Sequence, residues 1–172
     1  MKAHIVENGV VTNTIVVDSL DVVPNLIEAT EGGIGWQWNG EHLSPPEPES
    51  LPIRQTAAWE AIKAERDRRK YLGVKVGQHW FHSDDPSRIQ QLALAMMGNS
   101  IPAGLQWKTL TLTPPPVLVE MTPALAQGIF QATAASDAAI FAAAETHRIA
   151  MESSPNPESY DFSEGWPLSI ED

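Results

Sequence analysis

The chain has 172 residues, a formal net charge of −11, 42% hydrophobic residues and no cysteine. The absence of cysteine excludes disulfides, thiolate zinc sites and cysteine nucleophiles. No window approaches the ~18 consecutive apolar residues of a membrane span, and the N-terminus lacks the apolar run of a signal peptide. We therefore expect a soluble protein that is made in the cytoplasm and has no membrane partner.

The charge is unevenly distributed along the chain. Residues 1–51 contain eight acids and one base, residues 152–172 contain six acids and no base, and six of the eleven bases lie within 63–75. Acidic ends argue against nucleic-acid binding, which needs a broad basic face to neutralise phosphates. The basic run is explained more simply as the C-terminal end of a helix, where cations are favoured.

The N-terminal segment has the pattern of β-structure. Two β-branched runs, Ala3–Val6 and Val10–Val17, flank Asn8-Gly9, a strong signal for a type I′ hairpin. The segment that follows, residues 18–27, is compatible with a short helix or an irregular loop, because Pro24 weakens the helical pattern.

A second hairpin is predicted around Asn39-Gly40. In the strand before it, Trp36 and Trp38 would share one face, since side chains alternate along a strand. These patterns predict a β module over residues 1–44, followed by a proline-rich linker over residues 45–52.

The central segment predicts an α+β domain over residues 53–151. A helix is expected from Ile53 to Leu72, ended by Gly73. Gly77 then suits the first position of a two-residue type II′ turn between strands 72–76 and 79–82.

A second helix is predicted to start with Asp85 as N-cap and Pro86 at its first position, and to end at Gly98. Its apolar residues recur at helical spacing, which predicts a stripe buried in the core. That stripe consists of Ile89, Leu92, Ala93 and Met96.

Two short strands, 105–113 and 117–120, flank three prolines that cannot sit inside a ladder. Thr122 is the predicted N-cap of a third, alanine-rich helix that reaches about Met151. Its expected core positions are Leu125, Ile129, Ala132, Ile140, Phe141 and Ala144. The fold class is thus α+β: a small N-terminal β-hairpin module followed by a compact helical domain with short antiparallel hairpins.

The sequence contains no motif that indicates a catalytic, metal-binding or phosphate-binding site. His79 and His82 invite a metal hypothesis, but residues three apart on a strand point to opposite faces. The glycines at 32–35 lack the lysine and the following helix of a phosphate-binding loop. We predict no catalytic residue, no metal site and no cofactor.

The predicted acidic tail, residues 152–172, is unusually aromatic for a solvating segment, and we expect it to lie on a surface of its own chain or of a partner. Exposed aromatic and arginine side chains are the usual anchors of interfaces. The predicted partner-binding residues are therefore Trp36, Trp38, Arg66, Arg69, Tyr160, Phe162 and Trp166. For each of them, packing in the protein's own core is an equally good interpretation.

Three stretches in a fixed order resemble one known family: the block 59–87, Trp107-Lys108-Thr109 with the helix after Thr122, and the ending 160–167. Together they are similar to a domain of unassigned function in tail proteins of tailed bacteriophages. The N-terminal Gly33-Ile34-Gly35-Trp36, with Gly40 and the prolines that follow, resembles the small β-module that often precedes this domain in tail-fibre assembly proteins. The triple proline at 114–116 departs from that pattern, since the family usually has a polar turn there.

The resemblance implies a non-enzymatic tail protein that binds a tail-fibre or baseplate protein, as an assembly chaperone or as a virion component. It would act in the host cytoplasm during assembly or remain in the virion tail, and self-association is left open. Two other classes compete with this expectation. One is an adhesin that binds host glycans through Trp36 and Trp38, and the other is a depolymerase, which the lack of a catalytic set disfavours.

Overall fold

The computed structural model describes residues 1–172 as two compact units, Met1–Ser50 and Leu51–Asp172. The division between them falls within the proline-rich segment 45–52. Helices and antiparallel strands are both present, which confirms the predicted α+β class. None of the helices combines the length and the apolar character that crossing a bilayer would require.

The N-terminal unit is a five-stranded antiparallel sheet in the order β3-β1-β2-β4-β5. A single 3₁₀ turn at Leu20–Val22 lies between β2 and β3, and β3 itself was not predicted. The buried residues of the N-terminal unit include Ala3, Val11 and His4. The Nδ1 atom of His4 lies 2.7 Å from the Thr14 hydroxyl, and its Nε2 atom lies 2.9 Å from the Glu31 carbonyl oxygen. The strands are β1 (Lys2–Glu7), β2 (Val10–Val16), β3 (Leu26–Glu28), β4 (Gln37–Trp38) and β5 (Leu43–Ser44).

The two Asn-Gly pairs form different turns. Asn8 and Gly9 have φ angles of 52° and 77°, as a type I′ turn requires, so the first hairpin prediction is confirmed. The second hairpin is also present, but without the two-residue turn that Asn39-Gly40 indicated: β4 and β5 pair antiparallel and are joined by four residues, 39–42. The Asn39 side chain accepts hydrogen bonds from the Glu41 and His42 amides, at 2.9 and 2.8 Å, and so builds a wider turn.

The second unit contains three helices and two two-stranded sheets. The first helix begins two residues before the predicted start and ends three residues before the predicted end, because residues 70–72 form tighter turns before Gly73. The elements are α1 (Leu51–Arg69), β6 (Val74–Val76), β7 (His79–Phe81), α2 (Asp85–Met97), β8 (Gln106–Lys108), β9 (Leu118–Glu120) and α3 (Pro123–Glu152).

Strands β8 and β9 are shorter than predicted. After β8, the amide and the hydroxyl of Thr109 both donate to the Val117 carbonyl, and the Val117 amide donates to the Thr109 hydroxyl. These hydrogen bonds keep the two segments side by side just beyond the strands. Leu110 then turns away and its amide donates to the carbonyl of Trp80 at 2.7 Å, next to β7. The proline segment consequently lies outside both strands.

The start of α2 differs from the prediction by one residue. Asp84, and not Asp85, is the N-cap, since its carboxylate accepts a hydrogen bond from the Ser87 amide at 3.0 Å. Asp85 is instead the first helical residue, and Pro86 follows it within the first turn. The N-cap of α3 is Thr122 as predicted, with its hydroxyl oxygen 3.1 Å from the Leu125 amide.

Helix α3 connects two apolar clusters. Its first half supplies Ala126 and Ile129 to a cluster with β6, β7 and α2. Its second half supplies Ala144 and Met151 to a cluster with Ile62 of α1. The prediction that Phe141 lies in the core is wrong: Phe141 is 48% exposed, although its neighbours Ile140 and Ala144 are buried.

Candidate interaction surface

The predicted partner-binding residues occupy both units. In the N-terminal unit, Trp36 and Trp38 are both half-buried, but only Trp38 lies in a strand. The ring of Trp36 lies so close to Gly32 that a Cβ there would approach it to 2.9 Å. Ile34, two residues before Trp36, is exposed. This edge of the unit therefore presents apolar side chains that are not fully packed.

The basic end of α1 is neutralised by carboxylates of the same chain. Glu65 accepts hydrogen bonds from Arg68 and Arg69, and Arg66 donates to Asp67 at 2.8 Å. The hydrogen bond from Arg68, helped by Arg69 and opposed by partial burial, holds the pKa of Glu65 below its usual value. The three arginines of the basic run lie in the last turn of α1, and each is also engaged in an ion pair.

The aromatic tail residues pack against their own unit. Tyr160, Phe162 and Trp166 are half-buried against the Ile62 cluster. The Tyr160 hydroxyl lies 2.9 Å from His147 Nδ1. Of the two surfaces on which the tail was expected to lie, the structure places it on the chain's own.

Trp166 and Arg69, both predicted to bind a partner, contact each other. The indole N–H of Trp166 donates to the Phe162 carbonyl at 2.6 Å, and the Arg69 guanidinium lies 5.4 Å from the centre of the Trp166 ring. An arginine over an indole face is attracted by the ring quadrupole. Both side chains therefore have a stabilising role inside the unit.

The exposed side of α2 is where the structure differs most from what the sequence predicted. The predicted buried stripe is exposed: Ile89 is 70% exposed, Leu92 43% and Met96 80%, and Ala93 is exposed as well. The residues that α2 buries are Gln91 and Leu94 on its other side. The helical period was correct, but the apolar stripe faces away from the protein's own core.

The buried side of α2 is held by polar contacts that the periodicity could not reveal. Arg88 binds Asp137 of α3 through two hydrogen bonds of 2.5 and 2.9 Å, and this pairing raises the pKa of Arg88. Arg88 also donates to the Lys70 and Ser83 carbonyls. Gln91 is almost completely buried and donates to the His82 carbonyl at 2.6 Å, while its Oε1 has no hydrogen-bond partner in the chain.

A shallow groove of about 270 Å³ runs between α2 and α3. Ile89 and Leu92 form its α2 side, and Phe130 and Ala134 form its α3 side, with the Arg88–Asp137 pair and Gln91 also lining it. Phe130 is 41% exposed. We call this exposed surface, made of Ile89, Leu92, Met96, Phe130 and Ala134, the α2–α3 face.

No group of three or more histidine, aspartate or glutamate side chains is placed to hold a metal ion. His82, which the sequence singled out with His79, lies 3.8 Å from the carboxylate of Asp84. That carboxylate is occupied as the cap of α2. The most distinctive surface of the second unit is therefore apolar.

The fold and this surface describe an α+β domain with an unpaired helical face. Residues 53–164, which are well over half of the chain, match the model of a family described as a domain of unknown function, DUF4376. The chain belongs to this family. Neither a curated protein nor a solved structure matches it.

Proposed function

We propose that this protein is a non-enzymatic bacteriophage tail protein that binds the tail fibre or the baseplate. The observation that carries the proposal is the order of four sequence stretches, from the Gly33–Trp36 segment to the ending at 160–167, that resembles phage tail and tail-fibre assembly proteins. The DUF4376 family has no assigned function, so this proposal rests on the resemblance and on the exposed surfaces. The protein acts in the host cytoplasm as an assembly chaperone, or stays in the virion tail.

The N-terminal unit supplies the contact with the fibre protein in this proposal. Trp36 and Trp38 are only half-buried, whereas the tail aromatics and Arg69 are engaged in packing within the second unit. Tryptophan is enriched among the residues that dominate binding energy at interfaces. We therefore assign the first contact to the two tryptophans and to the exposed Ile34 beside them.

Co-purification tests the proposal. The full chain is co-expressed with the fibre protein encoded beside it, and we expect the two to elute together. The double variant Trp36→Ala, Trp38→Ala should lose ~30-fold or more in affinity, since even one interface tryptophan contributes ~2 kcal/mol. The matched control is Val22→Ala, another exposed apolar residue of the same unit, which should bind as the wild type does.

The proposal would be contradicted if no complex formed and the fibre protein also trimerised normally without this chain. Mass spectrometry of purified virions then separates the two roles. A structural component is present in the particles, and a chaperone is absent from them.

A glycan-binding adhesin is the second candidate, because neither Trp36 nor Trp38 is fully buried. Indole rings that are partly exposed can stack on sugars. Binding of the purified chain to host polysaccharide, lost in the same double variant, would support it. Binding to the fibre protein without binding to polysaccharide would decide against it.

A further inference from the structure

We propose that the α2–α3 face is the interface of a symmetric dimer formed with a second copy of this chain. Ile89, Leu92 and Met96 follow each other at spacings of three and four residues, the spacing of a seam between packed helices. Side chains of this kind on a surface helix normally lie against another element. Within one chain, nothing covers them.

Helix α3 continues the apolar surface. Phe130, Ala134, Ala138 and Phe141 recur three or four residues apart, which places them on one side of the helix, and the first two line the groove beside α2. Phe141 marks the end of this stripe, where Arg66 of α1 and Lys70, just after α1, lie 4.8 and 5.9 Å from the centre of its ring. The two helices therefore present parallel apolar stripes with the groove between them.

The face contains both the projections and the flat areas that a self-complementary contact needs. Ile89 and Met96 project from α2, while Ala134 and Ala138 leave room beside α3. In a two-fold arrangement the same patch meets itself, so the projecting residues of one copy would lie over the alanines and groove of the other. The contact would join two helix pairs into a four-helix layer.

The charge distribution favours a second copy over a partner recognised by charge. No charged residue occurs in 89–107, and Asp137 is the only one in 123–144. The Asp137 carboxylate is already bound by Arg88. Two chains of net charge −11 repel each other, and a neutral meeting face minimises that repulsion.

The size of the patch is also suitable. The large side chains of the face are each exposed by 41% or more, and with the alanines they form an apolar surface on the order of several hundred Å². Monomeric proteins rarely expose more than this without a partner. It would form the apolar core of a dimer interface of about 800 Å² per copy.

Sedimentation equilibrium of the purified full chain, with no phage protein present, tests the inference. We expect a dimer, and we expect Ile89→Glu and Met96→Glu each to weaken it by ~100-fold or more, because two buried carboxylates would be desolvated without partners. The matched control is Leu168→Glu, in the same unit and 81% exposed, which should leave the dimer intact. Circular dichroism verifies that each variant is folded.

A second measurement does not depend on disrupting the face. Because the chain has no cysteine, Leu92→Cys introduces a single thiol within the proposed interface, and mild oxidation should link two copies through it. Leu168→Cys is the control and should remain unlinked. A wild-type chain that stays monomeric at several hundred micromolar, or a dimer unaffected by both glutamate variants, would overturn the inference.

These results are independent of the proposed function. A dimer that binds no fibre protein would leave the interface standing and remove the tail-fibre role. A monomer that binds the fibre protein would remove the dimer interface and leave the tail-fibre role standing. If the Ile89→Glu variant of that monomer no longer bound the fibre protein, the α2–α3 face would be assigned to the fibre protein instead of a second copy.

Discussion

Gly73 and Ser83 fix the path of the chain between α1 and α2. The Ser83 hydroxyl accepts a hydrogen bond from the Gly73 amide at 2.9 Å and donates one to the Lys70 carbonyl at 2.6 Å. Ser83 is buried, so both backbone groups are satisfied away from water. One small side chain thereby connects the end of α1 to the start of α2.

We predict that replacing Gly73 with alanine strongly destabilises the folded state. Gly73 has a φ of 85°, and a Cβ there would lie 2.4 Å from Leu110 Cδ2 and 3.0 Å from the Phe81 carbonyl oxygen. Gly73→Ala should lower the free energy of unfolding by ~2–4 kcal/mol, because a clash adds to left-handed strain of ~1–2 kcal/mol.

The control for this prediction is Gly77→Ala. Gly77 also has a positive φ, 61°, but a Cβ there would meet open space. Gly77→Ala should therefore lower the free energy of unfolding only by the backbone strain of ~1–2 kcal/mol. Urea unfolding measures both variants, and equal losses at the two positions would show that the contact with Leu110 is unimportant.

At the scale of elements, the start of α2 provides a test of cap position. The carboxylate of Asp84 accepts hydrogen bonds from the amide and the hydroxyl of Ser87. Asp84→Ala should cost ~1 kcal/mol of stability, whereas Asp84→Asn, which preserves a cap, should cost only a few tenths.

Asp85→Ala is the matched control, since Asp85 makes one exposed contact, with the Tyr71 hydroxyl at 3.1 Å. Its loss should be smaller than that of Asp84→Ala, and thermal unfolding of the three variants gives the order. If Asp85→Ala were the more damaging change, the cap would lie where the sequence pattern placed it.

Periodicity predicted α2 and α3 correctly as helices, but it could not predict which side of α2 is buried. The rule that an apolar stripe faces the core assumes that the core belongs to the same chain. Here the buried side is defined by Arg88 and Gln91, polar residues whose partners Asp137 and the His82 carbonyl come from elsewhere in the fold. Such tertiary hydrogen bonds leave no trace in a local pattern.

The local signals were reliable where the chemistry is local. Asn8-Gly9, Gly77 and Thr122 act as their residue types predict, because the turn or cap is determined within four residues. Phe141 shows the opposite case: its spacing fits the core, but Arg66 and Lys70 approach its ring on the surface. Aromatic residues of the tail could be identified, but their contacts with Ile62 and His147 are too distant in sequence to predict.

At the scale of the molecule, carboxylates attach the tail to α1. Arg54 pairs with Glu158, and Arg68 bridges Glu65 and Glu171. The pKa of Glu65 is lowered chiefly by its hydrogen bond from Arg68. A carboxyl whose pKa is lower in the folded than in the unfolded state stabilises the fold above about pH 4, and that stabilisation is lost as the pH falls through the folded pKa.

Glu65→Gln should therefore be less stable than the wild type at pH 7, by ~0.5–1 kcal/mol, as expected of an ion-pair network at the surface, in which the side chains of Glu65 and Arg68 are 20% and 46% exposed. The difference should shrink at pH 3, which lies below the usual pKa of glutamate, because the stabilisation by the ionised carboxylate falls as the pH approaches the lowered pKa of the folded state. Thermal unfolding at the two pH values provides the measurement. Glu41→Gln, an exposed site of the N-terminal unit, should show no difference at either pH, and a Glu65→Gln difference that is equal at both would contradict this assignment.

The direction of the tail has a mechanical consequence. The tail runs alongside α1 in the same sense, from Glu158 beside Arg54 to Glu171 beside Arg68. A pulling force applied between Leu51 and Asp172 would act along both segments, so the ion pairs and the packing of Trp166 would resist it together instead of opening one after another. Tension along the axis of α1 would thus load these contacts in shear, and they would have to break together.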